Sequence, residues 1–195
     1  TMYVALWRLA SRRCRFTIID APGHNDFAKD IVTAMSQADI AVLVVTAVEG
    51  DLDPGNACAQ QIREHTLLAY TLGLRQLVVC VNKMDSETVA YSEDHFNRAC
   101  AVVREDLKNV GLKTHDVHFD VHFVPTSGWT GENVVCRSAN TPWYCGPTLI
   151  EALDDAVASH FQPERPLRLL LREVMQIGGT GVVAVGRVAT GSLRP

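Results

Sequence analysis

The fold is decided by the stretch Leu77-Val78-Val79-Cys80-Val81-Asn82-Lys83-Met84-Asp85. Its first five residues are apolar and free of polar alternation, which is typical of a strand covered on both faces of a parallel sheet. Two similar runs come earlier, at residues 16–19 and 40–45. The sequence therefore predicts a parallel sheet in which polar residues follow the strands at one edge.

Helical spacing occurs between and after these strands. Apolar Phe27, Ile31 and Met35 recur every four residues, and apolar residues from Phe96 to Val110 alternate steps of four and three. Both spacings place the apolar side chains on one face of a helix. Strands that alternate with helices predict an α/β domain with right-handed crossovers.

The ends of two helices are marked as well. Gly111 is predicted to stop the helix over 96–110, because glycine readily adopts the left-handed conformation found after helices. Thr148 and Glu151 form the pattern of a capping box and predict that a helix begins there. After Pro166, short Val/Leu runs broken by glycines predict the start of an all-β domain. We therefore divide the chain into an α/β domain over residues 1–162 and a linker with first β-strands over residues 163–195.

Composition sets the general class. The chain has 195 residues, of which 47% are hydrophobic and 21% charged, as in an ordinary globular domain. A net charge of −4 gives no overall attraction to nucleic acid. We see no apolar run that reaches the roughly 18 residues of a membrane span, and no signal peptide at the start. We expect a cytoplasmic protein without a membrane partner.

The first candidate motif is Asp20-Ala21-Pro22-Gly23-His24, which follows the strand at residues 16–19. Ligands of parallel sheets bind at the edge where the strands end. With a nucleoside triphosphate there, Asp20 could hold Mg²⁺ through water, Gly23 could let the backbone approach the terminal phosphate, and His24 could orient an attacking water. The motif taken alone is equally compatible with a simple Asp/Pro/Gly turn and a solvated histidine.

The second candidate motif is Asn82-Lys83-Met84-Asp85. Asp85 can accept two hydrogen bonds from guanine, from N1–H and from the exocyclic amino group, and adenine offers no matching pair of donors. Leaving a buried carboxylate unpaired is costly, so this side chain can select guanine. Asn82 would contact the base and brace neighbouring loops, and the Lys83 stem can lie against the ring. Lys83 could also be an ordinary surface ammonium.

The third candidate motif is Ser127-Gly128, after a strand predicted at residues 123–125. A backbone N–H there could reach O6 of guanine and complete the base pocket. Three such motifs, in order at successive strand ends, predict a guanine-nucleotide site.

Further segments carry a resemblance to a known family. They are Ser36-Gln37-Ala38-Asp39, residues 63–73, Ser127-Gly128-Trp129, Pro142-Trp143-Tyr144, Gly146-Pro147-Thr148-Leu149, residues 176–181 and Gly186-Arg187-Val188. With the three motifs, these segments closely resemble the translation elongation factor 1-alpha family of translational GTPases, over essentially the whole chain. The resemblance implies a P-loop NTPase-like G domain with a mixed, mostly parallel sheet, followed by the start of a β-barrel.

The resemblance also implies a function and its residues. The family binds GTP and GDP with Mg²⁺, hydrolyses GTP, and delivers aminoacyl-tRNA to the ribosomal A site, with a guanine-nucleotide exchange factor as a further partner. His24 would be the catalytic residue that the ribosome activates. Thr1 matches a threonine that joins Asp20 in the Mg²⁺ shell, and Trp129 would belong to the nucleotide site.

The chain departs from the family at one decisive place. The phosphate-binding loop G-x-x-x-x-G-K-S/T has no substitute in this sequence. The strand that precedes this loop in the family would lie between the strand ending at Asp20 and the strand beginning at Ile40. We therefore expect a fragment. Two alternatives stay open: a non-catalytic fragment or divergent paralogue that no longer hydrolyses GTP, and a release-factor or ribosome-rescue GTPase.

Overall fold

A computed structural model describes residues 4–53, 55–74, 76–111, 120–160, 164–179 and 181–193. Along the chain the strands and helices are β1 (Ala5–Ala10), β2 (Arg15–Asp20), α1 (Ala28–Gln37), β3 (Ala41–Thr46), α2 (Ala57–Thr71), β4 (Gln76–Asn82), α3 (Glu93–Asn109), β5 (Asp120–Pro125), α4 (Leu149–His160), β6 (Arg168–Ile177) and β7 (Gly181–Thr190). A short 3₁₀ turn, Asn25–Phe27, precedes α1. The chain forms two compact units, Thr1–Ala156 and Val157–Pro195.

The first unit is built on the sheet β3–β4–β5, in which both strand pairs are parallel. The central strand β4 is buried from Gln76 to Val81, and Asn82 at its end is half-buried. The continuous apolar run therefore predicted correctly a parallel strand covered on both faces. Because all three strands run the same way, the residues after each of them meet at one edge of the sheet.

Successive residues of β4 face opposite layers, as the alternation of a strand requires. Val79 and Val81 pack into the larger core cluster with Phe96, Val103 and Leu107 of α3. On the other face, Val78 and Val124 pack with residues of α4, which are Ala152 and Leu153. The sheet is thus a middle layer between helices.

The predicted helices are confirmed with their caps. Gly111 has φ of 90° and its N–H donates to the Lys108 carbonyl at 2.9 Å, which ends α3. At the start of α4, the Thr148 N–H donates to Glu151 Oε2 at 2.8 Å, and the Glu151 N–H donates to Thr148 Oγ1 at 3.3 Å. These reciprocal bonds are the predicted capping box.

The strand over residues 16–19 has a different partner from the predicted one. It lies in β2, which pairs antiparallel with β1, and the β1–β2 pair forms a sheet of its own. The prediction of a parallel strand here is wrong, because an apolar run does not specify its partner. In the described residues β2 and β3 do not pair. Ile18 and Val44 are 43% and 58% exposed.

The second unit contains the antiparallel pair β6–β7, in agreement with the predicted start of an all-β domain. Its register shifts twice, between Arg168 and Leu169 and between Leu171 and Glu173. Across the helices that the structure describes, none combines the length and the apolar character needed to traverse a bilayer.

Candidate functional site

Two loops meet at the edge where β4 and β5 end. The Thr126 N–H donates to the Val81 carbonyl at 2.8 Å, and the Met84 N–H donates to the Thr126 carbonyl at 3.2 Å. A third bond runs from the Gly128 N–H to Asn82 Oδ1 at 2.8 Å. The second and third predicted motifs are therefore brought together, and the Asn82 side chain braces the neighbouring loop.

The chain turns sharply after β4. Lys83 has φ of 64°, in the left-handed region that few non-glycine residues adopt. The turn sends Met84 into the core, where it is only 1% exposed, and leaves Lys83 exposed and Asp85 half-buried. The Tyr91 N–H donates to the Met84 carbonyl at 2.8 Å and closes the loop. Met84 is thus the anchor that fixes its two polar neighbours.

Residues 126–132, which we name the base loop, are shaped from within by Ser127. Its hydroxyl is fully buried and accepts the Thr130 N–H at 3.1 Å, and its carbonyl accepts the Gly131 N–H at 2.9 Å. Gly128 is exposed and Trp129 is 91% exposed. Ser127 therefore holds the loop, and Gly128 and Trp129 form its outer surface.

A polar network ties the base loop to the turn after β4. Glu132 accepts Asn140 Nδ2 at 2.6 Å and Thr130 Oγ1 at 3.3 Å. Burial acts to raise the pKa of Glu132, but hydrogen bonds from Tyr91, Asn140 and others outweigh it and lower that pKa. The hydrogen bond with Glu132 is in turn the main cause that raises the pKa of the Tyr91 phenol. Glu132 is thus an ionised acceptor that holds its neighbours together.

The first motif lies at the end of β2 and is open to solvent. The His24 carbonyl accepts the Phe27 N–H at 3.0 Å, which begins the 3₁₀ turn. The exposed His24 ring has Nδ1 3.3 Å from the Asp26 N–H and 3.4 Å from Asp26 Oδ2. A neutral ring accepts the N–H and a protonated ring pairs with the carboxylate, so Asp26 orients His24 in either state.

A cavity of about 290 Å³ joins the first and second motifs. Gly23, Thr46, Asp51, Asn82 and Lys83 line one part of it. Apolar residues of β3 and a mixed face of α2, which includes the polar Gln61 and His65, complete the wall. This volume is close to the lower end of the roughly 300–1,000 Å³ of small-molecule sites. The cavity therefore has room for part of a ligand that reaches from Gly23 to the turn after β4.

The predicted site residues are brought together only in part. In the described part of the chain, Asp20, His24, Asp85, Ser127, Gly128 and Trp129 lie outside the lining of this cavity. Thr1 lies outside the described residues. Thr46 and Asp51 line the cavity but were not predicted. They stand at the end of β3 and shortly after it, so the rule that ligands bind where parallel strands end could have found them.

His65 lines this cavity and a smaller, mostly apolar one of about 50 Å³. Its Nε2 and the Oε1 of Gln76 are buried and have no hydrogen-bond partner in the described residues. Burial is the main cause that lowers the pKa of His65 from 6.5, and the Glu64 carboxylate opposes it. The folded protein therefore favours the neutral ring.

A pH dependence of stability follows from His65. Below the unfolded-state pKa of 6.5, the unfolded chain binds a proton that the folded chain resists. We expect the free energy of unfolding to decrease as the pH falls from about 7.5 to about 5.5, and His65→Gln to reduce this slope. Urea titrations at a series of pH values measure the free energy of unfolding of both proteins and so give the two slopes. Identical slopes in the two proteins would contradict the prediction.

Comparison with known proteins places the chain in a family. The family model for the elongation factor Tu GTP-binding domain matches residues 1–162. The chain belongs to this family of translational GTPases. It is 45% identical to elongation factor 1-alpha of Tetrahymena pyriformis and 46% identical to that of Blastocystis hominis, each over 195 residues, which is 100% of this chain and 44% of the relative. The resemblance found in the sequence is confirmed.

Solved structures of translational GTPases share the fold. A crystal structure of sup35 complexed with GMPPNP has a TM-score of 0.64 and 32% identity, over 96% of this chain and 42% of that chain. Elongation factor SelB of Methanococcus maripaludis, in complex with the GTP analogue GppNHp, has a TM-score of 0.56 and 21% identity. The match covers 98% of this chain and 36% of that chain. The predicted G-domain fold is confirmed, and the chain spans less than half the length of these curated relatives and solved structures.

Proposed function

We propose that this chain is the guanine-nucleotide-binding part of an elongation factor 1-alpha type GTPase, which delivers aminoacyl-tRNA to the ribosome. The observation that carries the proposal is the closure of the Asn82–Asp85 turn against the base loop by two hydrogen bonds, from the Met84 N–H to the Thr126 carbonyl and from the Gly128 N–H to Asn82 Oδ1. Such a fixed pair of loops at the end of a parallel sheet supports a rigid socket for one purine base. The names of the curated relatives support the role in translation.

Four groups would recognise the base. The half-buried Asp85 carboxylate would accept the N1–H and amino hydrogens of guanine, and the Lys83 stem would lie along the ring. The Gly128 N–H would donate to O6, and Trp129 would shield the base from water. The Gly128 N–H already donates to Asn82 Oδ1. A bound guanine would therefore share this donor with Asn82.

The first motif would act on the phosphates. Gly23 lines the cavity of about 290 Å³, and a Cβ added there meets nothing within 4 Å, so a phosphate would find room beside that backbone. Asp20, with Thr1, offers the hard oxygen atoms that Mg²⁺ prefers, and Mg²⁺ when bound neutralises charge on the phosphates. His24, held by Asp26, would orient the attacking water. The GTPase activity of this chain is part of the proposal.

The remaining parts of the proposal concern organisation and partners. We propose that residues 1–162 form the nucleotide domain and that residues 163–195 begin a β-barrel. The ribosome, aminoacyl-tRNA and a guanine-nucleotide exchange factor would be the partners, and the cytoplasm the location. The family match over residues 1–162 and the β6–β7 pair support this division.

A nucleotide titration tests the proposal. We expect the complete product of the gene that encodes this chain to bind GDP at least about 100-fold more tightly than ADP, because ADP leaves Asp85 unpaired. Fluorescent nucleotide analogues and calorimetry measure both affinities. Equal affinities for GDP and ADP would overturn the proposed function. GDP binding without GTP hydrolysis on ribosomes would favour the non-catalytic alternative.

A further inference from the structure

Asn133 is a buried polar residue in the connection between β5 and α4. Its side chain is 2% exposed. Nδ2 donates to the Pro125 carbonyl at 2.8 Å and to Thr141 Oγ1 at 3.0 Å, and Oδ1 accepts the Ser138 N–H at 2.8 Å. The amide thus reaches the end of β5 and two points of the following loop.

The backbone of Asn133 adds two more connections. Its N–H donates to the Cys136 carbonyl at 2.9 Å, and its carbonyl accepts the Leu149 N–H at 2.8 Å, at the first turn of α4. Its φ of 55° is left-handed, a conformation that asparagine tolerates better than most residues. One residue therefore connects β5, the loop over residues 136–141 and α4.

These bonds hold both ends of the base loop. Pro125, whose carbonyl accepts from Asn133, directly precedes Thr126 at the start of the loop. At the other end, Glu132 adjoins Asn133, and the Glu132 carbonyl accepts the Ser127 N–H at 3.3 Å. Asn133 itself is buried and offers no surface to a ligand, so it acts through the loop. A shift of either end would move the Gly128 N–H relative to Asn82.

We propose that Asn133 is a positioning residue that sets the Gly128 N–H for O6 of guanine, a proposal that rests on the proposed function and deepens it. The amide fixes the base loop from the inside, and Asn82 fixes it from the outside through its bond to Gly128. Without the Asn133 amide, the bond from Gly128 to Asn82 remains, but the bond from Asn133 to the Pro125 carbonyl is lost. The O6 contact is then the part of base recognition that weakens.

The test compares two nucleotides, GDP and 6-thio-GDP, on the complete gene product. The thio analogue keeps N1–H and the amino group and has sulfur, a weaker acceptor, in place of O6. We expect Asn133→Ala to lower GDP affinity about tenfold, which corresponds to about 1.4 kcal/mol, and to change 6-thio-GDP affinity by less than about twofold. The preference for GDP over the thio analogue should therefore collapse.

Two further variants keep the test decisive. Val135→Ala shortens a side chain that is 66% exposed in the same connection between β5 and α4, and should keep the preference of the unsubstituted protein. Thr141→Val removes one partner of the Asn133 amide at nearly constant volume, and should reduce the preference in the same direction even where Asn133→Ala unfolds the protein. Thermal unfolding curves record the stability of each variant.

The possible failures are distinguishable. Equal weakening of GDP and 6-thio-GDP in Asn133→Ala, or an unchanged preference in Thr141→Val, would reduce Asn133 to a purely structural residue and overturn this proposal alone. An unsubstituted protein that does not prefer GDP to ADP would overturn the proposed function and this proposal with it.

Discussion

Asp85→Asn should lower the affinity of the complete gene product for GDP by about 100-fold or more. The Asn side chain has one oxygen acceptor where Asp85 has two, and its NH₂ group would face the amino group of guanine. One of the two hydrogen bonds is kept, and the other is replaced by a repulsion between two donors. Xanthine carries an oxygen in place of that amino group and fits the amide instead. We therefore expect the variant to bind XDP more tightly than GDP, as measured by competition with a fluorescent nucleotide.

The control for this experiment is Glu87→Gln, which neutralises an exposed carboxylate two residues along the chain. Glu87→Gln should change the affinities for GDP and XDP by no more than about twofold, because an exposed charge contributes little to binding. GDP binding by Asp85→Asn at the level of the unsubstituted protein would show that Asp85 does not touch the base. The guanine socket would then have to be assigned elsewhere.

Met84→Ala should lower the free energy of unfolding by about 2–5 kcal/mol. Met84 is 1% exposed and packs in the larger core cluster, so truncation leaves a cavity that the rigid sheet cannot fill. Because Met84 anchors the turn that carries Lys83 and Asp85, GDP affinity should fall in the same variant. Urea denaturation of the complete gene product, with and without GDP, measures both effects.

Met84→Leu is the matched control. It keeps the apolar volume and should cost less than about 1.5 kcal/mol, with GDP affinity retained. A Met84→Ala protein as stable as the unsubstituted one would mean that the turn after β4 does not depend on its core anchor.

Sequence reasoning succeeded where the signal is local. The apolar run before Asn82 predicted a strand buried on both faces, and β4 has this environment because helices cover both sides of its sheet. The capping box at Thr148 and the glycine stop at Gly111 were confirmed because a cap depends on residues three or four positions apart. The parallel order of β3, β4 and β5 then placed two of the motifs at one edge.

Other features could not be predicted because they depend on distant partners. The apolar run in β2 carries no information about its partner strand, and in the structure that partner is the antiparallel β1. Helix α2 was not predicted, since its buried positions include Thr66 and its apolar stripe is narrow. Asn133 gives no local signal, because its role comes from a left-handed backbone and from partners up to sixteen positions away in the chain, such as Leu149.

The two ends of the site differ in how far they are built into a sheet. The base end follows β4, the one strand of its sheet with neighbours on both sides, and such buried strands open only with the whole domain. The His24 end follows a two-stranded pair and is exposed. A guanine bound as proposed would therefore meet a preformed surface, and little conformational entropy would be lost in ordering the protein around the base.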